Sequence, residues 1–287
     1  MLTLLFDGIA YGMLLFVLAV GLAVTLGLMN FINLAHGAFA MAGGYITVLL
    51  MNRLGVPFLA TLPLAFLGTA LIGAVLEPLL YRRLYGKPHL DQVLFSIGLV
   101  FMAVAAVDYI IGSTQQNITL PAWLQGRFDI AWVGIGKYRL FIIVVCALLT
   151  LALQTVLART RFGAQLRASV DDPRVADGLG LNVNRIFLLT FAVGSGLAGL
   201  GGALGAEVLG LDPSFPLKFM IYFLIVCSVG GTTTITGPLL AALLLGIADV
   251  MGKYYAPKLG AFVVYTLMVV ILLLRPQGLF ARAGGGK

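Results

Sequence analysis

Charge is scarce in this sequence. Asp, Glu, Lys and Arg make up 10% of the 287 residues, while 61% are hydrophobic and the mean hydropathy is +1.06. A soluble domain carries about 25% charged residues. So little charge cannot cover a water-facing surface, which excludes an ordinary soluble globule and leaves lipid as the covering. Histidine is nearly missing too. His36 and His89 are too few and too far apart for a metal site, and no metal is expected. The two cysteines, Cys146 and Cys227, each lie inside an apolar run, which suits small core residues and not a disulfide.

Catalytic signatures are absent as well. The chain has no Gly-x-Ser-x-Gly turn and no HExxH run. Gly252-Lys253 is followed by Tyr254, and Ile247 stands where a Walker A motif needs glycine, so ATP hydrolysis by this chain is not expected. Gly194-Ser195-Gly196-Leu197-Ala198-Gly199 fits the GxGxxG pattern. That pattern requires a preceding strand and an acidic residue about 20 residues on. Here it lies inside an apolar helix, and neither Glu207 nor Asp212 rescues it. The expectation is a non-enzymatic chain without a cofactor of its own.

What the sequence does have is long uncharged runs. Residues 8–35 contain no Lys, Arg, Asp or Glu, too long for a cleaved signal and suited to a permanent anchor. A membrane crossing takes about 20 apolar residues in a helix, because irregular backbone facing lipid would leave amides unpaired. Spans are expected near 4–28, 34–52, 57–80, 92–112, 140–158, 186–208 and 259–275. Residues 219–248 would reach about 45 Å as one helix, beyond a hydrocarbon core of about 30 Å. Their middle, Gly230-Gly231-Thr232-Thr233-Thr234-Ile235-Thr236-Gly237-Pro238, breaks the run into two pieces. The second, 239–250, is expected to be a short span or a re-entrant helix. The fold class is therefore all-α, one polytopic membrane domain over 1–287 with eight or nine transmembrane helices.

The net charge of +7 would suggest nucleic acid in a soluble protein. Here the basic residues fall between apolar runs, so they read as a topology signal with no nucleic-acid partner. Three clusters hold eleven of the eighteen: Arg82, Arg83 and Lys87; Arg159, Arg161, Arg167, Arg174 and Arg185; Arg275, Arg282 and Lys287. Placing them inside puts the N-terminus outside and, with nine crossings, the C-terminus in the cytoplasm. Arg127, Lys137 and Arg139 oppose that bias.

Several polar and small residues stand out. Gly194, Ala198 and Gly202 recur every four residues, as do Gly201 with Gly205 and Gly8 with Gly12; such spacing lets helix backbones approach closely in a membrane. Asn30, Asn33 and His36 cluster between the first two spans, where they either cap helix ends or line a solute pathway. Asp108, Glu207 and Asp249 fall near span ends and read either as interfacial carboxylates or as functional groups.

The hydrophilic loop 159–185 carries an apolar stripe, Phe162, Leu166 and Val170, flanked by Arg161, Gln165 and Arg167. Asp172 before Pro173 marks a second helix start, and Gly180 its end. Two such surface helices either dock into a groove of a cytoplasmic partner or rest on anionic lipid headgroups.

At these residues the chain resembles the inner-membrane permeases of branched-chain amino-acid ABC importers, a family that also includes urea and short-chain amide permeases. The resemblance rests on Asn33-Leu34-Ala35-His36-Gly37, with Leu34 where the family pattern has Phe, and on Pro78-Leu79-Leu80-Tyr81-Arg82-Arg83. Ser96-Ile97-Gly98-Leu99, Gly178-Leu179-Gly180-Leu181-Asn182, residues 194–202 and Arg275-Pro276-Gln277-Gly278-Leu279-Phe280 follow in order. It implies a bacterial or archaeal plasma membrane, a second related permease, two cytoplasmic ATPases that bind ATP and Mg, and an extracytoplasmic solute-binding protein. It further implies that 162–179 receives the ATPase stroke, with Phe162, Gln165, Leu166, Arg167, Val170, Asp171 and Asp172 as the contact. Asn30, Asn33 and His36 would then line or shape the path. The resemblance leaves the solute open among branched-chain amino acids, urea, amides and aromatic acids. The rival class is an ion-coupled secondary transporter.

Overall fold

The computed structural model describes residues 1–29, 31–130, 133–231, 234–275, 278 and 279. Among the described residues, eleven helices run in chain order: α1 (Leu2–Met29), α2 (His36–Leu54), α3 (Phe58–Leu79), α4 (His89–Ile111), α5 (Lys137–Arg159), α6 (Arg161–Asp171), α7 (Pro173–Gly178), α8 (Val183–Leu209), α9 (Phe215–Gly230), α10 (Thr236–Tyr255) and α11 (Gly260–Leu274). A 3₁₀ turn, Tyr81–Leu84, joins α3 to α4. Among the described residues, α1, α3, α4, α5, α8 and α10 are long and apolar enough to cross a membrane, and α9 and α11 are shorter apolar helices. The protein is a multi-pass membrane bundle.

Two points of the sequence reading change. The second piece of 219–248 is not short, because α10 begins at Thr236 and runs 20 residues. Pro238 falls in its first turn, where a missing N–H costs no helical hydrogen bond. The shorter piece is α9, with 16 residues. The 113–137 loop also holds a small antiparallel hairpin, β1 (Arg127–Ile130) with β2 (Val133–Gly136).

The bundle is built around α8. A Cβ placed on Gly202 would run into the carbonyl oxygen of Ala40 on α2, and one on Gly199 into the Thr69 hydroxyl on α3. Gly21 of α1 presses on the Gly194 carbonyl in the same way, and Ala198 is fully buried. A second seam joins α1 to α10, where a Cβ on Gly8 would lie 2.7 Å from Ile247 Cα and one on Gly12 2.7 Å from Ala242 O. Small residues thus supply the close packing that drives association in lipid.

The registers set directions. Gly21 meets Gly194 while Leu18 meets Gly201, and Gly8 meets Ile247 while Gly12 meets Ala242, so α1 is antiparallel to both α8 and α10. Thr69 meets Gly199 while Gly73 meets Ser195, which makes α3 antiparallel to α8. One end of the bundle therefore carries the start of α1 and the hairpin; the other carries the 3₁₀ turn, α6 and α7. Leu279 lies at that second end, its N–H donating to Val229 O at 2.8 Å.

Candidate transport and coupling site

The elbow formed by α6 and α7 is assembled from local chemistry. Thr160 caps α6, its hydroxyl accepting from the Gly163 N–H at 3.4 Å. Gly163 is pressed onto the Leu157 carbonyl at the end of α5, where no side chain would fit. The Arg167 guanidinium donates to that same Leu157 oxygen. Asp172 Oδ1 accepts from the N–H groups of Arg174 at 2.9 Å and Val175 at 3.1 Å, with Pro173 opening α7. Gly180, at φ +86, ends the turn, and Asn182 Oδ1 caps α8 by accepting from Arg185 N at 3.0 Å.

The apolar stripe of α6 faces the bundle. Leu166 is buried, Phe162 and Val170 are half-buried, and Phe162 and Leu166 line a small apolar cavity with Leu157, Leu189 and Val193. Gln165, Arg167, Asp171 and Asp172 are exposed. The large apolar side chains open to a partner are Val175 and Leu179, at 57% and 77% exposure. Leu179 ends the expected coupling segment, whereas Val175 was not a sequence candidate, because α7 is too short to show a period.

The connection between α1 and α2 is buried. Asn33 Oδ1 accepts from the Tyr81 hydroxyl at 3.3 Å. His36 Nε2 donates to Leu18 O at 2.8 Å and packs edge-on to Phe223. Both are enclosed by their neighbours, at 1% and 2% exposure. Asn30, the third residue of that cluster, lies outside the described residues. Gln92 of α4 completes the arrangement: its Oε1 accepts from Ile32 N at 3.0 Å and its Nε2 donates to Lys87 O at 3.1 Å. Gln92→Leu removes the side-chain acceptor from the part-buried Ile32 amide and the donor from the Lys87 carbonyl. It is expected to cost about 1–3 kcal/mol, visible as a lowered melting temperature of the detergent-solubilised protein.

The carboxylates separate by environment. Asp108 and Glu207 are exposed. Asp249 of α10, 2% exposed, is met by Lys253 Nζ at 2.6 Å. Glu77, absent from the sequence candidates, is fully buried at the end of α3. Both its oxygens accept from Arg82, at 3.3 Å from Nε and 2.8 Å from Nη2. Among the described residues, no group of three or more metal-ligating side chains converges.

An amphipathic elbow fastened to the charged end of a glycine-seamed bundle agrees with the comparisons with known proteins. The family model described as "Branched-chain amino acid transport system / permease component" matches residues 4–272. The chain belongs to this family.

Similar curated proteins include the high-affinity branched-chain amino acid transport system permease protein BraD of Pseudomonas aeruginosa, 28% identical over 97% of this chain and 95% of that one. LivH of Escherichia coli K12, with the same description, is 26% identical over 97% and 94%. A probable branched-chain amino acid transport permease protein LivH of Methanocaldococcus jannaschii is 28% identical over 94% and 90%. No solved structure matches. This permease is accordingly a transport subunit of the ABC-importer type, not an enzyme. The GxGxxG pattern, wholly inside α8, is a packing seam.

Proposed function

We propose that this chain forms, with a second related permease, the membrane path of an importer for a branched-chain amino acid or a similar small polar solute. Two cytoplasmic ATPases, holding ATP and Mg, power it, and an extracytoplasmic binding protein delivers the solute. Support comes from the family and from the uniform description of its relatives. The charge asymmetry supports the orientation. Arg82, Arg83, Lys87, Arg159, Arg161, Arg167, Arg174, Arg185 and Arg275 fall at the end bearing α6 and α7, which supports assigning that end to the cytoplasm and the N-terminus to the outside.

The observation that carries the coupling role is the outward face of the elbow, with Val175 and Leu179 exposed beside Gln165, Asp171 and Asp172. Closure of the ATPase pair presses on this face. Gly163 and Arg167 fasten α6 to the last turn of α5, so the displacement passes into the bundle, and the path between the two permeases opens alternately to either side. Buried Glu77 and Asp249 are each held by a cation, which weighs against ion-coupled transport. In the assembled importer, Val175→Asp with Leu179→Asp is expected to release the ATPases at purification while membrane insertion persists. Retention of the ATPases with unchanged ATP-driven uptake overturns the coupling assignment.

A further inference from the structure

A slot of about 240 Å³ lies beneath α6, in the gap between α5 and α8. Leu153, Val156 and Leu157 of α5 form one side, and Leu189, Val193 and Leu197 of α8 form the other. Phe162 and Leu166 of α6 close the end nearest the elbow, and the buried Val24 of α1 lines the slot as well. Val156, Leu189 and Val193 are 41%, 50% and 40% exposed, so the slot opens sideways to the bilayer. Among the described residues, the one polar side chain in its wall is Thr190, whose hydroxyl already donates to Ile186 O at 2.8 Å.

Two properties identify an occupant. The first is depth. From Leu189 to Leu197 the α8 wall rises about 12 Å, against about 15 Å for one leaflet of a hydrocarbon core about 30 Å thick. A wall without free donors or acceptors offers water no partners, so hydrocarbon fills it. The second is charge. Arg185 precedes Leu189 and Val193 at intervals of four, which places all three on one face of α8. Arg159 follows Val156 by three on α5. Both arginines are exposed, and neither meets a carboxylate among the described residues. The Arg167 guanidinium, bonded to the carbonyl of the lining residue Leu157, adds a third cation at the same end. The elbow's carboxylates, Asp171, Asp172 and Asp177, belong to the far end of α6 and to α7. Guanidinium groups hold phosphate oxygens through paired hydrogen bonds, and basic pockets between spans on the cytoplasmic side receive anionic headgroups.

We propose that this slot binds an anionic phospholipid of the cytoplasmic leaflet, with an acyl chain between α5 and α8 and the phosphate against Arg159 and Arg185. The chain lies directly under Phe162 and Leu166, so the lipid forms part of the seat on which the elbow rests. Only the choice of leaflet depends on the orientation given above; the binding itself is independent of the solute and of transport.

The test uses the complete importer in phosphatidylcholine nanodiscs that contain a trace of phosphatidylglycerol with a diazirine at mid-chain. Photo-adducts are mapped by mass spectrometry. Labelling is expected at 153–157 and 189–197, falling saturably as unlabelled phosphatidylglycerol is added and unchanged by inorganic phosphate. Arg159→Gln with Arg185→Gln is expected to lower it about tenfold, equivalent to about 1.4 kcal/mol. Labelling around Leu67 and Leu71, exposed on α3, should stay constant and reports an intact bundle. Val193→Trp, at a position open to lipid, is the second variant: it fills the slot by bulk and should lower labelling with both arginines in place. Labelling no denser in the slot than on α3, labelling that ignores either variant, or labelling that inorganic phosphate displaces overturns the proposal.

Discussion

Gly202→Leu is expected to leave little or no folded permease in the membrane. Even a methyl group at this position would be driven into the Ala40 carbonyl oxygen, and that obstacle is backbone, which cannot rotate aside as a side chain does. Overpacking a core commonly costs about 1–3 kcal/mol and occasionally more. Separating α8 from α2 also opens the neighbouring contact between Gly43 and Gly199, so the upper end of that range or beyond applies. Gly98→Leu on α4 is the matched control, since a Cβ there meets nothing within 4 Å. Size-exclusion profiles of fluorescent fusions distinguish the two. The control should run as a single sharp peak and the Gly202 variant should be lost or aggregated. A sharp peak and wild-type melting for the Gly202 variant would remove the packing argument.

The second large effect concerns Glu77. Its carboxylate is fully buried, and Arg82, whose side chain is one-third exposed, supplies both hydrogen bonds. The same contact raises the Arg82 pKa, chiefly through the hydrogen bonds that Arg82 donates to Glu77, with burial opposing the rise and the carboxylate charge adding to it. Arg82→Met removes the cation and leaves a buried carboxylate unpaired, a change that typically costs about 3–5 kcal/mol. The double variant Glu77→Leu with Arg82→Met removes both charges and should recover most of the loss, because the apolar pair needs no desolvation. Melting curves of Arg82→Met, Glu77→Leu, the double variant and the parent protein form a cycle. Equal destabilisation of single and double variants would mean that Arg82 acts through some other contact.

Helix existence was readable from sequence, because runs of about 20 uncharged residues have one stable outcome in lipid. Helix boundaries were less so. Pro238 looked like the break before a short piece, yet a proline fits the first turn as well as it ends a helix, and only tertiary packing chose between the two. The hairpin 127–136 escaped notice because its strands have four residues each, too few to show alternation. The stripe Phe162, Leu166 and Val170 was correctly periodic, but periodicity does not say what the apolar face meets. Here it meets the chain's own α5 and α8.

Asn33 and His36 show the same ambiguity in another form. A polar residue beside a helix end serves a cap, a buried hydrogen bond or a solute equally well, and their partners Tyr81 and Leu18 lie 48 and 18 residues away. Glu77 was overlooked beside the conspicuous arginines that follow it. A carboxylate at the close of an uncharged run, one turn before an arginine, was the available signal. The pairing of Asp249 with Lys253 was within reach as well, four residues apart on one helix face.

The glycine seams limit how this protein can change shape. Along both flanks of α1, backbone touches backbone, against Gly194 on one side and Gly246 on the other. Helices seated that tightly have no room to slide or roll past one another without colliding, so α1, α8 and α10 travel as a unit. Flexing must be concentrated at joints held by longer side chains, such as the one where Phe95 of α4 rests edge-on against Tyr81. Distance measurements between spin labels during turnover should therefore stay constant inside that trio and vary toward α4.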